Sequence, residues 1–170
     1  MMTASDLEIT VPGTGQAGDG GRPPRVLVPV RSPGEAYQTL TVAARLCCSA
    51  GGMLRLVHVR IFDPPVRGCG RFFPETAADA AAVLDEAQLT VWACGLRAGT
   101  AVVTAPRGEV EAAIAGQASA WPADLIVLTR RPRPAIASLV TGSVPDRVMR
   151  KANCPVLAVR PARPPHRERT

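Results

Sequence analysis

The chain has 170 residues, enough for one domain with its own core and too few for two comfortable ones. Aromatic residues make up only 4%, so Ala, Val and Leu must fill the interior, and no apolar run approaches the ~18–20 residues of a membrane-spanning helix. The net charge of +6 rests on arginine, with Lys151 the only lysine; this admits anionic partners, but an arginine bias is equally a habit of composition.

Residues 1–24 are rich in Gly and Thr, end in Arg22-Pro23-Pro24, and read as a disordered leader. Met1 to Asp6 has neither the basic start nor the apolar run of a secretory signal. Gly13, Gly15 and Gly18 spell G-x-G-x-x-G, a motif that works only between a strand and a helix whose N-terminus meets a pyrophosphate. Here Asp19-Gly20-Gly21 and two prolines follow, and no helix can start. Cys47, Cys48, Cys69, Cys94 and Cys154 are odd in number and show neither C-x-x-C spacing nor a disulfide rhythm. Reduced thiols in a cytoplasmic protein are expected.

Arg25 to Val30 is the first convincing strand, apolar enough for burial on both faces. Ser32-Pro33-Gly34-Glu35 starts a helix with N-cap Ser, Pro at N1 and Glu at N3, and Ala36, Leu40, Ala43, Ala44 and Cys47 form its apolar stripe. Gly51-Gly52 ends it, and Met53 to Val59 is a second strand. Ile61 to Phe73 reads as an irregular connection. Pro74-Glu75 opens a long helix carrying Ala80, Leu84, Ala87, Val91 and Cys94 on one face. A third strand over Thr100–Thr104, a helix over Gly108–Ser119 and a fourth strand over Asp124–Leu128 follow. Strands alternating with helices predict an α/β domain over 25–160, with an open five-stranded parallel sheet, right-handed crossovers and helices on both faces. Residues 161–170 form a short basic tail.

The stretch from Leu139 to Arg160 carries the densest signal. Gly142 frees the backbone for close approach, Ser143 and Asp146 are spaced as a capping box, and Pro145 falls in the first turn. Val144, Val148 and Ala152 recur on one helix face, and Val156-Leu157-Ala158-Val159 is a short buried strand. This Gly-Ser-Val helix start, followed by Cys-Pro-Val-Leu-Ala-Val-Arg, resembles the universal stress protein family. The resemblance spans about Arg25 to Arg160. It implies strand order 3-2-1-4-5, a HUP-type, adenine-nucleotide α-hydrolase-like arrangement. The switch point then falls between the first and fourth strands, where ligands of open α/β sheets bind.

The resemblance also implies where a nucleotide would sit. ATP-binding members use Gly-x-x-Gly, nine residues, then Gly-Ser/Thr around the phosphates and ribose. An Asp at the end of the first strand serves the nucleoside, and backbone after the second strand holds the adenine. Gly142, Ser143 and the following Val144 match the end of that motif, whereas its first two glycine positions are Thr129 and Pro132. The Asp position is Arg31, within Pro29-Val30-Arg31, and Val59 holds the adenine-facing position. Pro132 has no N–H to give a phosphate, and the guanidinium of Arg31 cannot accept from a ribose hydroxyl. The expectation is therefore a site without family-type ATP binding, and no cofactor. ATP remains the ligand that would overturn it.

Arg130, Arg131 and Arg133, with Arg31, could instead hold a phosphate or carboxylate through side chains, aided by Gly142 and Ser143 at a helix N-terminus. The plainer alternative is a solvated loop beside an ordinary N-cap serine. His58 in the second strand reads as a satisfied core histidine, and His166 lies in the tail. No catalytic constellation or metal-spaced cluster is discernible, so no enzyme activity and no metal are expected. The arginines have no aromatic platform beside them, and nucleic acid is not an expected partner. The resemblance implies a homodimer through Val156, Leu157, Ala158 and Val159, the apolar edge strand. Two readings stand: a non-enzymatic dimeric stress-response or regulatory module, and a sensor of a nucleotide or another small anion.

Overall fold

The computed structural model describes residues 22–63, 70–130 and 143–161. Nine elements alternate along the chain: β1 (Arg25–Pro29), α1 (Pro33–Ala50), β2 (Met53–Phe62), α2 (Ala77–Ala93), β3 (Ala98–Pro106), α3 (Val110–Ala120), β4 (Leu125–Thr129), α4 (Val144–Lys151) and β5 (Val156–Val159). All five strands run parallel in the order β3-β2-β1-β4-β5. That is the predicted doubly covered sheet, with β1 between β2 and β4 at the switch point.

The sheet's two faces bury different halves of the chain. On one face, Val26, Val28, Leu54, Leu56 and Val127 meet Ala36, Leu40, Ala43, Ala44 and Cys47 of α1 and Leu84, Ala87 and Val91 of α2. On the other, Leu27, Val57, Ile126 and Leu128 meet Ile114 and Ala118 of α3 and Val148 of α4. Small alanines on α1 let the helix lie close to a sheet surface of Val and Leu, which suits a chain so poor in aromatics. Central strands buried on both faces read as continuous apolar runs for this reason.

Several element ends differ from the sequence reading. β2 runs on through Ile61 and Phe62, and β3 begins at Ala98 and reaches Pro106, because the two strands pair over nine consecutive positions. Residues assigned to an irregular connection thereby gain ladder bonds that local propensity does not encode. α2 starts at Ala77 instead of Pro74, capped by Thr76 and Asp79 in a reciprocal capping box. Ser32 does cap α1, yet through its backbone alone: its side chain makes no cap bond, and its carbonyl accepts from the Ala36 amide at 3.0 Å. Asp124 accepts from Arg22 at 2.7 Å and from the Arg25 amide at 2.8 Å, pinning the entry to β1. The Pro24 carbonyl accepts from the Met53 amide at 2.7 Å, so Arg22 to Pro24 are tied to the sheet's amino end.

Candidate functional site

The carboxyl ends of β1 and β4 bring most of the expected positions to one edge of the sheet. Pro29 is half-buried at the end of β1, Val30 is buried just beyond it, and Arg31 is exposed at the turn into α1. The Val30 amide donates to the Val57 carbonyl at 2.8 Å, so Val57 points its backbone groups toward β1. Two-residue alternation then turns the amide and carbonyl of Val59 the same way, past the point where β1 has ended. Val59 thus offers backbone to the switch point even though β2 continues beyond it.

Below Val30 lies the satisfied core histidine that the sequence leads one to expect, with a partner, Glu75, that the sequence does not announce. His58 is 4% exposed; its Nδ1 meets the Val30 carbonyl at 2.8 Å and its Nε2 meets Glu75 Oε2 at 2.8 Å. Arg60 donates to the Glu75 carbonyl at 2.7 Å and lies over the Phe73 ring at 4.5 Å. Phe73 in turn packs on Phe62 at 5.5 Å between centroids. The segment before α2 is thereby tied to the end of β1. Glu75 is seventeen residues from His58, and no motif spacing announces such a pair.

On the β4 side, Thr129 turns its hydroxyl inward to buried Thr39 of α1, Oγ1 to Oγ1 2.8 Å. The position where the family places a flexible glycine is here part of a helix–sheet contact. The Arg130 amide donates to the Val159 carbonyl at 2.7 Å, and its side chain reaches Asp146 at 3.8 Å.

The N-terminus of α4 uses its own donors. The Ser143 amide and hydroxyl donate to Asp146 Oδ2 at 3.0 and 2.6 Å, and the Asp146 amide donates back to Ser143 Oγ at 3.3 Å. Pro145 has no amide hydrogen, and the Arg147 amide goes to the Ser143 carbonyl at 3.0 Å. The Ser143 hydrogen bonds, with Arg130 and Arg150 adding, hold the Asp146 carboxyl below its usual range against the opposing effect of burial. A carboxylate therefore already occupies the positive end of this helix, where an incoming phosphate would otherwise be drawn. Val144 is half-buried against the α3–α4 core. Pro132, Gly142, Arg131 and Arg133 lie outside the described residues.

Farther along α4, Glu111 of α3 is buried and pairs with Lys151 at 3.2 Å and Arg147 at 3.3 Å. These cations clamp one helix to the next. Among the described residues no group of three or more His, Cys, Asp or Glu side chains is placed to hold a metal, and no helix is long and apolar enough to cross a membrane.

The model of the "Universal stress protein family" matches residues 24–160. The chain belongs to this family. Solved universal stress proteins share its fold: one from Archaeoglobus fulgidus is 27% identical, covering 79% of this chain and 92% of its own, with a TM-score of 0.58. A protein of the family from Burkholderia pseudomallei is 26% identical over 79% of this chain and 94% of its own, with a TM-score of 0.58. An Archaeoglobus fulgidus universal stress protein in complex with dAMP is 25% identical, covering 81% and 97% of the two chains at a TM-score of 0.57. No curated protein matches the chain. In this universal stress protein the switch point lies between the ends of β1 and β2, with Val30 and Val59, and the end of β4, with Thr129, Arg130 and the capped α4.

Proposed function

We propose that this universal stress protein is a non-enzymatic, dimeric regulatory module of the stress response that does not hold ATP in the family manner. The observation that carries this reading is the Ser143–Asp146 capping box with Arg130 turned onto it. A triphosphate at that helix end would have to displace an internal carboxylate that is already hydrogen-bonded, and the ribose would meet Arg31, which only donates, where the family supplies an acceptor. Thermal denaturation with ATP and magnesium tests it. The expected result is no saturable rise in Tm, whereas a ligand in hundredfold excess over its Kd would stabilise the fold by about 2.7 kcal/mol. Such a rise, with ATP recovered from the protein, overturns the proposal.

A second reading keeps the site for a smaller ligand, a nucleoside monophosphate or another small anion held by Arg130 and its neighbours. The dAMP complex of the Archaeoglobus fulgidus relative favours it. A saturable response to dAMP or AMP with none to ATP is the outcome that selects this reading over the first.

Dimerisation through β5 completes the proposal. Val156 to Val159 form a sheet edge, and each of the four residues is half-buried.

A further inference from the structure

α1 and α2 lie side by side on one face of the sheet, and their carboxyl ends meet. There Cys48, exposed in the last turn of α1, donates its S–H to the Cys94 carbonyl at 3.7 Å. Cys94, half-buried, is the residue that closes α2. Neither helix has a basic residue in its last turn, where Lys or Arg often meets the terminal carbonyls, and a thiol does so instead.

The other described thiols are placed differently. Cys47 is 1% exposed within the apolar layer, and burial, with Cys48 adding to it, pushes its thiol up to about 11. Cys47 and Cys48 also point to different sides of α1, so joining them would require the helix to unwind. Cys154 is on the opposite face of the sheet, its thiol raised by burial and then by Asp124. Only the Cys48 sulfur combines exposure with contact to another cysteine among the described residues.

We propose that Cys48 and Cys94 form an intramolecular disulfide when the protein meets a peroxide, tying the end of α1 to the end of α2. The exposed Cys48 sulfur takes one peroxide oxygen and becomes a sulfenic acid; the O–O bond breaks and the other oxygen leaves as water. The Cys94 sulfur then attacks the Cys48 sulfur, and the displaced hydroxyl leaves with the Cys94 proton as a second water. Two thiols lose two electrons, and hydrogen peroxide gains them. The bridge closes a loop between positions 46 residues apart, which restricts the unfolded chain far more than the folded one.

The test treats the full chain with hydrogen peroxide, blocks remaining thiols with iodoacetamide, digests with trypsin and reads the peptides by mass spectrometry. The expected product joins peptide 46–55 to peptide 72–97, each bounded by arginine cleavage sites. It persists in Cys47→Ala and disappears in Cys48→Ser and Cys94→Ser. Oxidation of the unsubstituted protein raises Tm by about 5 °C or more, a rise that dithiothreitol reverses and Cys48→Ser abolishes. A bridge that survives Cys48→Ser, covalent dimers in place of the internal link, or Cys48 sulfinic acid without any bridge each overturns the proposal.

Discussion

His58 faces two acceptors, and a neutral imidazole has one N–H to share between them. The Val30 carbonyl can only accept, so Nδ1 donates to it, and Nε2 meets the Glu75 carboxylate on its other side. Glu75→Gln offers Nε2 an amide N–H, keeps both contacts, and is expected to cost less than about 1 kcal/mol. His58→Phe fills the same space but strands the buried Val30 carbonyl, an expected loss of about 1–3 kcal/mol. Urea unfolding of the two variants checks the contrast, and equal losses would show that the ring serves only as packing. Glu111 gives the pH-dependent case. Burial works to raise its pKa, but its own backbone amide, Lys151 and Arg147 outweigh this and hold the carboxyl below the usual range. A folded-state pKa below the unfolded one means stability fully present above the ordinary glutamate pKa of ~4.3 and lost as pH falls through the folded value. Glu111→Gln is therefore expected to destabilise by about 1–2 kcal/mol at neutral pH, a modest figure because Lys151 and Arg147 can turn to water. The gap to the unsubstituted protein should narrow on acidification, read from urea unfolding at neutral and acid pH.

The elements fit together at their ends with little slack, and Gly52 shows how tightly. A Cβ there would lie 2.8 Å from the Pro24 carbonyl oxygen and 3.3 Å from the Cys47 Cα. The Pro24 oxygen cannot give way, because it accepts from the Met53 amide at 2.7 Å. Gly52→Ala is expected to cost about 1–3 kcal/mol by forcing the end of α1 away from the entry to β1, checked by urea unfolding against Gly34→Ala, where a Cβ meets nothing. Local pattern reveals an element when the element is set locally. Ala36, Leu40, Ala43, Ala44 and Cys47 repeat with the helical period, and all are buried as that repeat requires. The Ser143–Asp146 box was equally legible, since both partners lie within one turn. Strand ends were not, because the extension of β2 through Phe62 exists only opposite β3. Side-chain pairs between distant positions, Thr39 with Thr129 or His58 with Glu75, leave no periodic trace at all. The candidate site was therefore half legible: its positions could be aligned by resemblance, but the closing of α4's N-terminus by Asp146 and Arg130 needed the third dimension.

For the whole molecule the open question of assembly reduces to the direction of individual backbone groups on β5. The Pro155 carbonyl accepts from the Ile126 amide at 3.0 Å, and the Val159 carbonyl accepts from the Arg130 amide at 2.7 Å. Positions two apart on a strand point the same way, so Leu157 also faces β4, while Val156 and Ala158 direct their amides and carbonyls to the uncovered edge. Those are the groups that a second copy would engage, and an edge left unpaired would be a liability. Ala158→Pro removes one outward donor without touching the β4–β5 ladder, and proline is tolerated on an edge strand when its nitrogen faces solvent. The expected outcome is loss of the dimer with the fold retained: a halved mass in sedimentation equilibrium and an unchanged far-ultraviolet circular dichroism spectrum. Leu157→Pro is the control, since it breaks a ladder bond to β4 and should lower thermal stability as well. A dimer that survives Ala158→Pro unchanged would move the interface away from β5 and with it the assembly proposed here.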